Sequence, residues 1–130
     1  NMNIGYSENR SLIVYVTYTV NEPPIIVTLN NISVRENQTI VLDVNATDPN
    51  NDTLTYYTNA ETVLPSNFTF NSIIGLFIWT PTFNDSGNYI ILFNVTDEFL
   101  WDEEIIRIRV RNVGGGGGSP IFIKAIPENP

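Results

Sequence analysis

Apolar and polar side chains alternate along most of the chain, in short runs separated by clusters of Asn, Asp, Gly and Pro. Alternation with a period of two places successive side chains on opposite faces of a β-strand. No apolar stripe with the 3.6-residue period of a helix is present. The pattern therefore predicts an all-β protein in which short strands form a two-sheet sandwich.

The clearest strand runs from Ile105 to Val113, where apolar residues alternate with arginines. One face of this strand is predicted to enter the core, while the other carries a ladder of positive charge. The inward positions are Ile106, Ile108 and Val110, and the outward positions are Arg107, Arg109 and Arg111.

A second alternating strand runs from Thr39 to Ala46. It is predicted to turn Ile40, Leu42, Val44 and Ala46 inward and Val41, Asp43 and Asn45 outward. Further strands are predicted at Ile32–Glu36, Leu54–Thr58, Phe68–Asn71, Leu76–Thr80 and Tyr89–Val95. Together these make about seven strands between Pro23 and Val113, the size of one sandwich domain.

The two ends of the chain follow the same order of alternating strand, linker and apolar run. We predict four segments: an N-terminal strand in residues 1–20, a sandwich in 21–113, a Gly-rich linker in 114–119 and a C-terminal strand segment in 120–130. The residues expected to form assembly strands are Leu12, Val14, Val16, Tyr18, Val20, Ile121 and Ile123.

Three interpretations of the end strands stay open. A strand outside a complete domain needs a sheet edge, because its unpaired backbone groups favour pairing. It can be a donor strand that enters a neighbouring copy, part of an adjacent module in a tandem array, or an extension of the domain's own sheets. We expect the first of these.

Composition narrows the possible functions. The 130 residues carry a net charge of -8 and include no histidine or cysteine. Excess negative charge disfavours nucleic acid as a partner. The missing residue types exclude disulfides, thiolate chemistry and zinc sites built on His or Cys. No apolar run reaches the roughly 18 residues of a membrane span, so direct membrane insertion is not expected.

Eight Asn-x-Ser/Thr acceptor motifs for Asn-linked glycans occur in the chain. Such motifs also arise by chance in the turns of β proteins, which are rich in Asn, Ser and Thr. We expect glycans and therefore an extracellular location at the cell surface. The acceptors are Asn9, Asn31, Asn37, Asn45, Asn51, Asn67, Asn84 and Asn94.

A series of motifs in residues 21–113 supports a family resemblance. In order, they are Asn21-Glu22-Pro23-Pro24, Val34-Arg35-Glu36-Asn37, Ala46-Thr47-Asp48-Pro49-Asn50-Asn51-Asp52, Gly75-Leu76-Phe77-Ile78-Trp79-Thr80-Pro81-Thr82, Asp85-Ser86-Gly87-Asn88-Tyr89 and Asn94-Val95-Thr96-Asp97. The series resembles the cadherin-like, dystroglycan-type and "putative Ig" modules of bacterial and archaeal surface proteins. The resemblance implies an immunoglobulin/cadherin-like antiparallel β-sandwich with extra N- and C-terminal strands, used as a stacked spacer.

The same resemblance implies roles for individual residues. Tyr89 is similar to the tyrosine of a tyrosine corner, whose hydroxyl bonds backward to the chain, and Trp79 is expected in the core. Cadherin repeats bind Ca²⁺ with acidic loops at one end of the sandwich, where carboxylate oxygens converge. The equivalent positions are Asp48, Asn50, Asp52 and Asp97.

Asn50 stands where cadherins have a second Asp, so a weak Ca²⁺ site is expected. The alternative is a set of solvated acidic turn residues. No cofactor is required, and Ca²⁺ is the possible one.

No catalytic residue is predicted. Adjacent carboxylates in Asp102-Glu103-Glu104 point to opposite faces of a strand and form no pocket. We predict a non-enzymatic structural subunit of a glycosylated surface filament or array, assembling with copies of itself or with neighbouring tandem modules. The alternative is an adhesion module that binds carbohydrate or protein, with Ca²⁺ rigidifying the array.

Overall fold

The longest strands of the domain form an antiparallel hairpin. In the computed structural model, which describes residues 11–113, β8 (Gly87–Thr96) pairs with β9 (Trp101–Arg111). Ile106, Ile108 and Val110 are buried, whereas the arginines between them are exposed. The predicted alternation is confirmed, although the strand begins at Trp101 and ends at Arg111.

Within the described residues, the remaining elements are eight, each of four residues or fewer. They are β1 (Ile25–Ile26), β2 (Ile32–Arg35), β3 (Ile40–Asp43), β4 (Ala46–Thr47), β5 (Thr55–Thr58), α1 (Ala60–Val63), β6 (Phe68–Asn71) and β7 (Leu76–Trp79). One sheet has the order β2-β9-β8-β5, and the facing sheet has the order β3-β7-β6. A small β1-β4 pair completes the sandwich. The all-β sandwich is confirmed.

The predicted strand Thr39–Ala46 is divided between two sheets. β3 pairs with β7, whereas β4 pairs with β1, and Val44 between them donates its N–H to the Gly75 carbonyl at 2.9 Å. The chain between β1 and β2 then crosses to the opposite sheet, where β2 runs parallel to β9. The N-terminal part of the domain therefore contacts both sheets, through β1 on one side and β2 on the other.

Residues 11–20 form no strand with their own domain, so the prediction that they are a donor strand or the last strand of a preceding module stays a prediction. None of them belongs to a strand, and all ten are exposed. Alternation specifies which face a strand buries, but a strand forms only when its N–H and C=O groups find partners. The interpretation that this segment extends the domain's own sheets is therefore wrong. Residues 114–130, including Ile121 and Ile123, lie outside the described residues, as do residues 1–10.

The core is held by aromatic packing without crosslinks. Phe77 and Phe93 are fully buried, and their rings meet edge-to-face with centroids 5.5 Å apart. Trp79 is 1% exposed and meets Tyr89 in the same geometry at 5.3 Å. Edge-to-face contacts between rings add to the energy of apolar burial. Trp79 is a core residue, as expected.

A hydrogen-bond network at one end of the domain connects this core to the turn before β8. Trp79 donates its indole N–H to Ser66 Oγ at 3.0 Å, and Ser66 donates to Asp85 Oδ2 at 2.7 Å. Tyr89 Oη donates to the Asp85 carbonyl at 2.7 Å, which is the predicted tyrosine corner. The network satisfies the polar atoms that the buried rings bring inside.

Burial acts to raise the pKa of Asp85, but hydrogen bonds from Ser66 and Thr82 outweigh it and hold the pKa below its usual value. Because the folded-state pKa is lowered, the carboxylate stabilises the domain at neutral pH. This stabilisation is lost as the pH falls from the unfolded value of 3.8 through the lower folded value.

Replacing Tyr89 with phenylalanine should lower the free energy of unfolding by about 1 kcal/mol, since it removes one hydrogen bond and keeps the ring. Urea denaturation followed by circular dichroism measures this change. Tyr57→Phe is the matched control, because Tyr57 is exposed and should tolerate the change. Equal stability of both variants would contradict the tyrosine corner.

Candidate functional site

The linker before β1 is fixed to one end of the sandwich, which we call the carboxylate pole: residues 20–22, 48–53 and 97–100. The Asn50 side chain accepts from the Glu22 N–H at 2.8 Å and donates to the Val20 carbonyl at 3.1 Å. Asn21 donates its amide N–H to Asp97 Oδ2 at 2.9 Å. Three consecutive linker residues are thus held by two loops.

The two loops at this pole are each organised by an aspartate. Asp48 Oδ1 accepts from the N–H groups of Asn50 at 2.8 Å and Asp52 at 3.1 Å, as in an Asx turn. Asp97 Oδ1 accepts from the N–H groups of Phe99 and Leu100, both at 2.8 Å. The Leu100 hydrogen bond is the main cause that lowers the pKa of Asp97, so this side chain is ionised at neutral pH.

The carboxylates of Asp48, Asp52 and Asp97 lie together, with one oxygen of each within 4.8 Å of the others. Asp48 Oδ2 is buried and has no hydrogen-bond partner. An oxygen-rich cluster with an unpartnered atom fits the preference of Ca²⁺ for carboxylate ligands. The three predicted acidic ligands therefore come together, whereas the Asn50 side chain is engaged with the linker.

Beyond the carboxylate pole, residues 11–20 expose an apolar surface. The side chains of the predicted assembly positions are between 63% and 83% exposed; they are Leu12, Val14, Val16, Tyr18 and Val20. Clustered exposed apolar side chains mark interaction surfaces in soluble proteins. This segment is the largest run of exposed apolar residues in the part of the chain that the structure describes.

The glycan acceptors within residues 11–113 lie mostly at the surface. Asn31, Asn37, Asn45, Asn51, Asn67 and Asn84 are exposed, and Asn94 on β8 is half-buried. Asn9 lies outside the described residues. A glycan needs an accessible acceptor, and the exposed positions meet this requirement.

The acidic cluster on β9 serves the fold. Asp102 Oδ2 accepts from the Ile26 N–H at 2.9 Å, and Glu104 Oε1 accepts from the Leu29 N–H at 3.3 Å. These carboxylates replace regular strand pairing along the crossover after β1. Both carboxylates therefore accept hydrogen bonds from backbone N–H groups. A glycosidase needs its pair of carboxylates free to contact the substrate.

Two carboxylates at the opposite pole, Glu36 and Asp85, are buried, and the sequence motifs that contain them did not predict this burial. Glu36 is 2% exposed, and its Oε1 accepts from the Val113 N–H at 3.1 Å while Oε2 has no hydrogen-bond partner. Asp85 is 5% exposed in the network with Trp79. Charged side chains are almost never fully buried unless they are paired, so the sequence offered no signal for this burial.

Within residues 11–113, no helix has the length and apolar character that crossing a membrane would require.

Solved structures similar to this chain share its sandwich. Human protocadherin-24 EC1-2 is similar over 71% of this chain and 44% of its own, with a TM-score of 0.54 and 16% identity. Drosophila N-cadherin EC1-4 is similar over 69% of this chain and 25% of its own, with a TM-score of 0.55 and 14% identity. A Bacteroides fragilis chain described as a "putative alpha-galactosidase" is similar over 73% of this chain and 19% of its own, with a TM-score of 0.56 and 16% identity.

This chain spans less than half the length of each of these structures, and the identities support a common fold alone. No curated protein sequence matches it. The family described as "Putative Ig domain" matches residues 23–110, which is most of the chain. With a cadherin-like sandwich and this family match, the chain belongs to the "Putative Ig domain" family.

Proposed function

We propose that this chain is a non-enzymatic structural subunit of an extracellular, glycosylated filament or array. Residues 11–20 join the subunits by pairing with the sheet of a neighbouring domain. The observation that carries this proposal is the contrast between a wholly exposed apolar segment and the firmly held linker that follows it. The segment is presented at a defined place on the domain.

Pairing with a neighbour removes two unfavourable features of the free chain. Burial of the exposed apolar side chains stabilises the assembly by about 25 cal/mol of free energy for each Å² of apolar surface removed from water. The backbone groups of an alternating segment also gain partners when it joins a sheet edge. Because Asn50 holds Val20 and Glu22, less orientational freedom is lost when the segment binds.

The partners we propose are further copies of this chain, with neighbouring modules of a tandem array as the alternative. The surface location rests on the exposed glycan acceptors and on the cadherin ectodomains that share the fold. The net charge of -8 makes copies of the chain repel one another and disfavours nonspecific association between them. Because residues 11–20 carry no charge, contact between copies is favoured at this segment.

The test is to image the full-length chain by electron microscopy and to size it by sedimentation. The double variant Val14→Ser, Val16→Ser should lose polymers, since it removes the apolar face of the joining strand. The control Ile13→Ser, Tyr15→Ser changes the opposite face and should keep them. Normal polymers from the first variant would overturn the proposal.

A second candidate function is an adhesion module within a tandem array, recognising carbohydrate or protein and stiffened by Ca²⁺. The specific observation in its favour is the position of Asp48, Asp52 and Asp97 beside the linker. A cation held there would tie both loops to the chain that arrives from a preceding module. Extracellular modules of this kind bind Ca²⁺ with dissociation constants of roughly 0.1–1 mM.

Adding 10 mM Ca²⁺ should raise the unfolding temperature of the full-length chain by about 5–15 °C, by mass action on a site in the folded state. Differential scanning calorimetry measures the shift. Asp52→Asn should abolish the shift, because it removes one of the three carboxylates of the site. The variant should still fold, since this side chain is exposed and can change without disturbing the core. Asp43→Asn, an exposed residue on β3, is the control that should respond normally. No shift in the unchanged protein would refute the site.

A further inference from the structure

One side of the sandwich is open between its two sheets. A groove of about 510 Å³ runs between the crossover residues 27–31, the start of β2, and β3. Leu29, Ile32 and Leu42 line it, and each is half-buried against the core. The groove therefore has an apolar floor that is continuous with the interior of the domain.

The edges that flank this groove lack a further strand within the described residues. β2 pairs with β9 alone, and β3 pairs with β7 alone. On the other side of the sandwich, the Tyr56 N–H donates to the Ser72 carbonyl at 2.8 Å and links the two sheets. Edges without partners are templates for the addition of a strand.

We propose that this groove is the acceptor for residues 12–20 of a second copy of the chain. This inference rests on the proposed function and adds the place where the joining strand binds. The second copy's segment would add a strand beside β3 and turn its apolar face onto the floor of the groove.

Length and charge are both compatible with this occupant. The free edge of β3, Ile40–Asp43, spans about 13 Å at ~3.3 Å for each residue, so four residues of the segment can pair along it. Beyond this edge the Asn45 carbonyl already accepts from the Val27 N–H at 2.8 Å. Among the described residues, Asp43 is the only charged one that lines the groove, and residues 11–20 carry no charge. The segment thus meets no like-charge repulsion on a domain whose surface is strongly acidic.

The occupant comes from another molecule. In its own chain the segment is exposed at every residue, and its end is fixed by Asn50 at the carboxylate pole. The glycan acceptors Asn31 and Asn45 stand at the rim of the groove. Strand addition at the groove therefore requires Asn31 and Asn45 to carry no glycan, whereas the other acceptors can be occupied. The test uses protein made in a host that adds no glycans.

Cysteine crosslinking tests the inference directly, because the full-length chain contains no cysteine. A Tyr15→Cys chain is mixed with a Val41→Cys chain under mild oxidation, and disulfide-linked peptides are measured by mass spectrometry. Tyr15 lies on the face of the segment opposite the one turned onto the groove floor, and Val41 likewise points away from the core, so the two side chains share one face of the extended sheet. Val41 is 65% exposed and lines the groove. The control partner is a Thr69→Cys chain, with an exposed residue on β6 at the opposite edge of the same sheet.

We expect the Tyr15→Cys chain to couple with the Val41→Cys chain at least about tenfold more than with the Thr69→Cys chain, since proximity governs disulfide formation. Polymers that couple equally to both, or preferentially to Thr69→Cys, would overturn the groove while leaving the proposed function intact. If the unchanged chain forms no polymers and no coupling occurs, the proposed function fails and this inference fails with it.

Discussion

Replacing Trp79 with alanine should lower the free energy of unfolding by about 3–5 kcal/mol, the range for truncation of a buried aromatic side chain. Trp79 is 1% exposed, so its removal leaves a cavity in the centre of the sandwich. The change also removes the edge-to-face partner of Tyr89 and the donor to Ser66. A loss of this size is a large fraction of the 5–15 kcal/mol that stabilises an ordinary domain.

Urea denaturation followed by circular dichroism measures this loss without relying on tryptophan fluorescence. Trp101→Ala is the matched control, because Trp101 is 61% exposed at the start of β9 and should cost less than about 1 kcal/mol. If Trp79→Ala is as stable as the control, Trp79 does not organise the core in the way described.

Replacing Gly75 with alanine should destabilise the domain by about 2–4 kcal/mol, for two reasons that add. Gly75 has a φ of 75°, in the left-handed region that disfavours side chains. A Cβ at this position would also overlap the Val44 carbonyl oxygen and lie 3.0 Å from the Tyr56 ring. The backbone must then move, which disturbs the hydrogen bond from the Val44 N–H to the Gly75 carbonyl.

Gly87→Ala separates the two effects. Gly87 also has a positive φ, of 148°, but the nearest atom to an added Cβ is the Tyr89 hydroxyl at 3.6 Å, an ordinary contact. The unfolding temperature of Gly75→Ala should therefore be lower than that of Gly87→Ala, which in turn should be lower than that of the unchanged chain. A reversed order would show that close packing against Val44 is not the main cost.

Local patterns predicted much of the sandwich because they report burial directly. Alternation gave the inward faces of β3 and β9, and β6 has the predicted bounds, Phe68–Asn71. The predicted backward hydrogen bond of Tyr89 is present, since its partner lies four residues away in the same turn. The convergence of Asp48, Asp52 and Asp97 was implied by the resemblance to cadherin repeats, whose acidic loops lie at one end of the sandwich.

Other features depend on partners that local patterns do not contain. Residues 11–20 are rich in the β-branched and aromatic residues typical of strands, yet they form no strand because no edge of their own domain pairs with them. The four residues of α1 are too few to show a helical period. Ser66 resembled an ordinary turn residue, and its bonds to Trp79 and Asp85 appear only after folding.

Hydrogen exchange at the backbone amides of residues 11–20, in the assembled full-length chain, tests the central claim most directly. If this segment pairs with a neighbouring domain, its amides should exchange at least about 100-fold more slowly in the assembly than in the dilute monomer. Amides of β9 serve as the internal reference, because they are paired in both states. Exchange of residues 11–20 at the same unprotected rate in both samples would contradict the account.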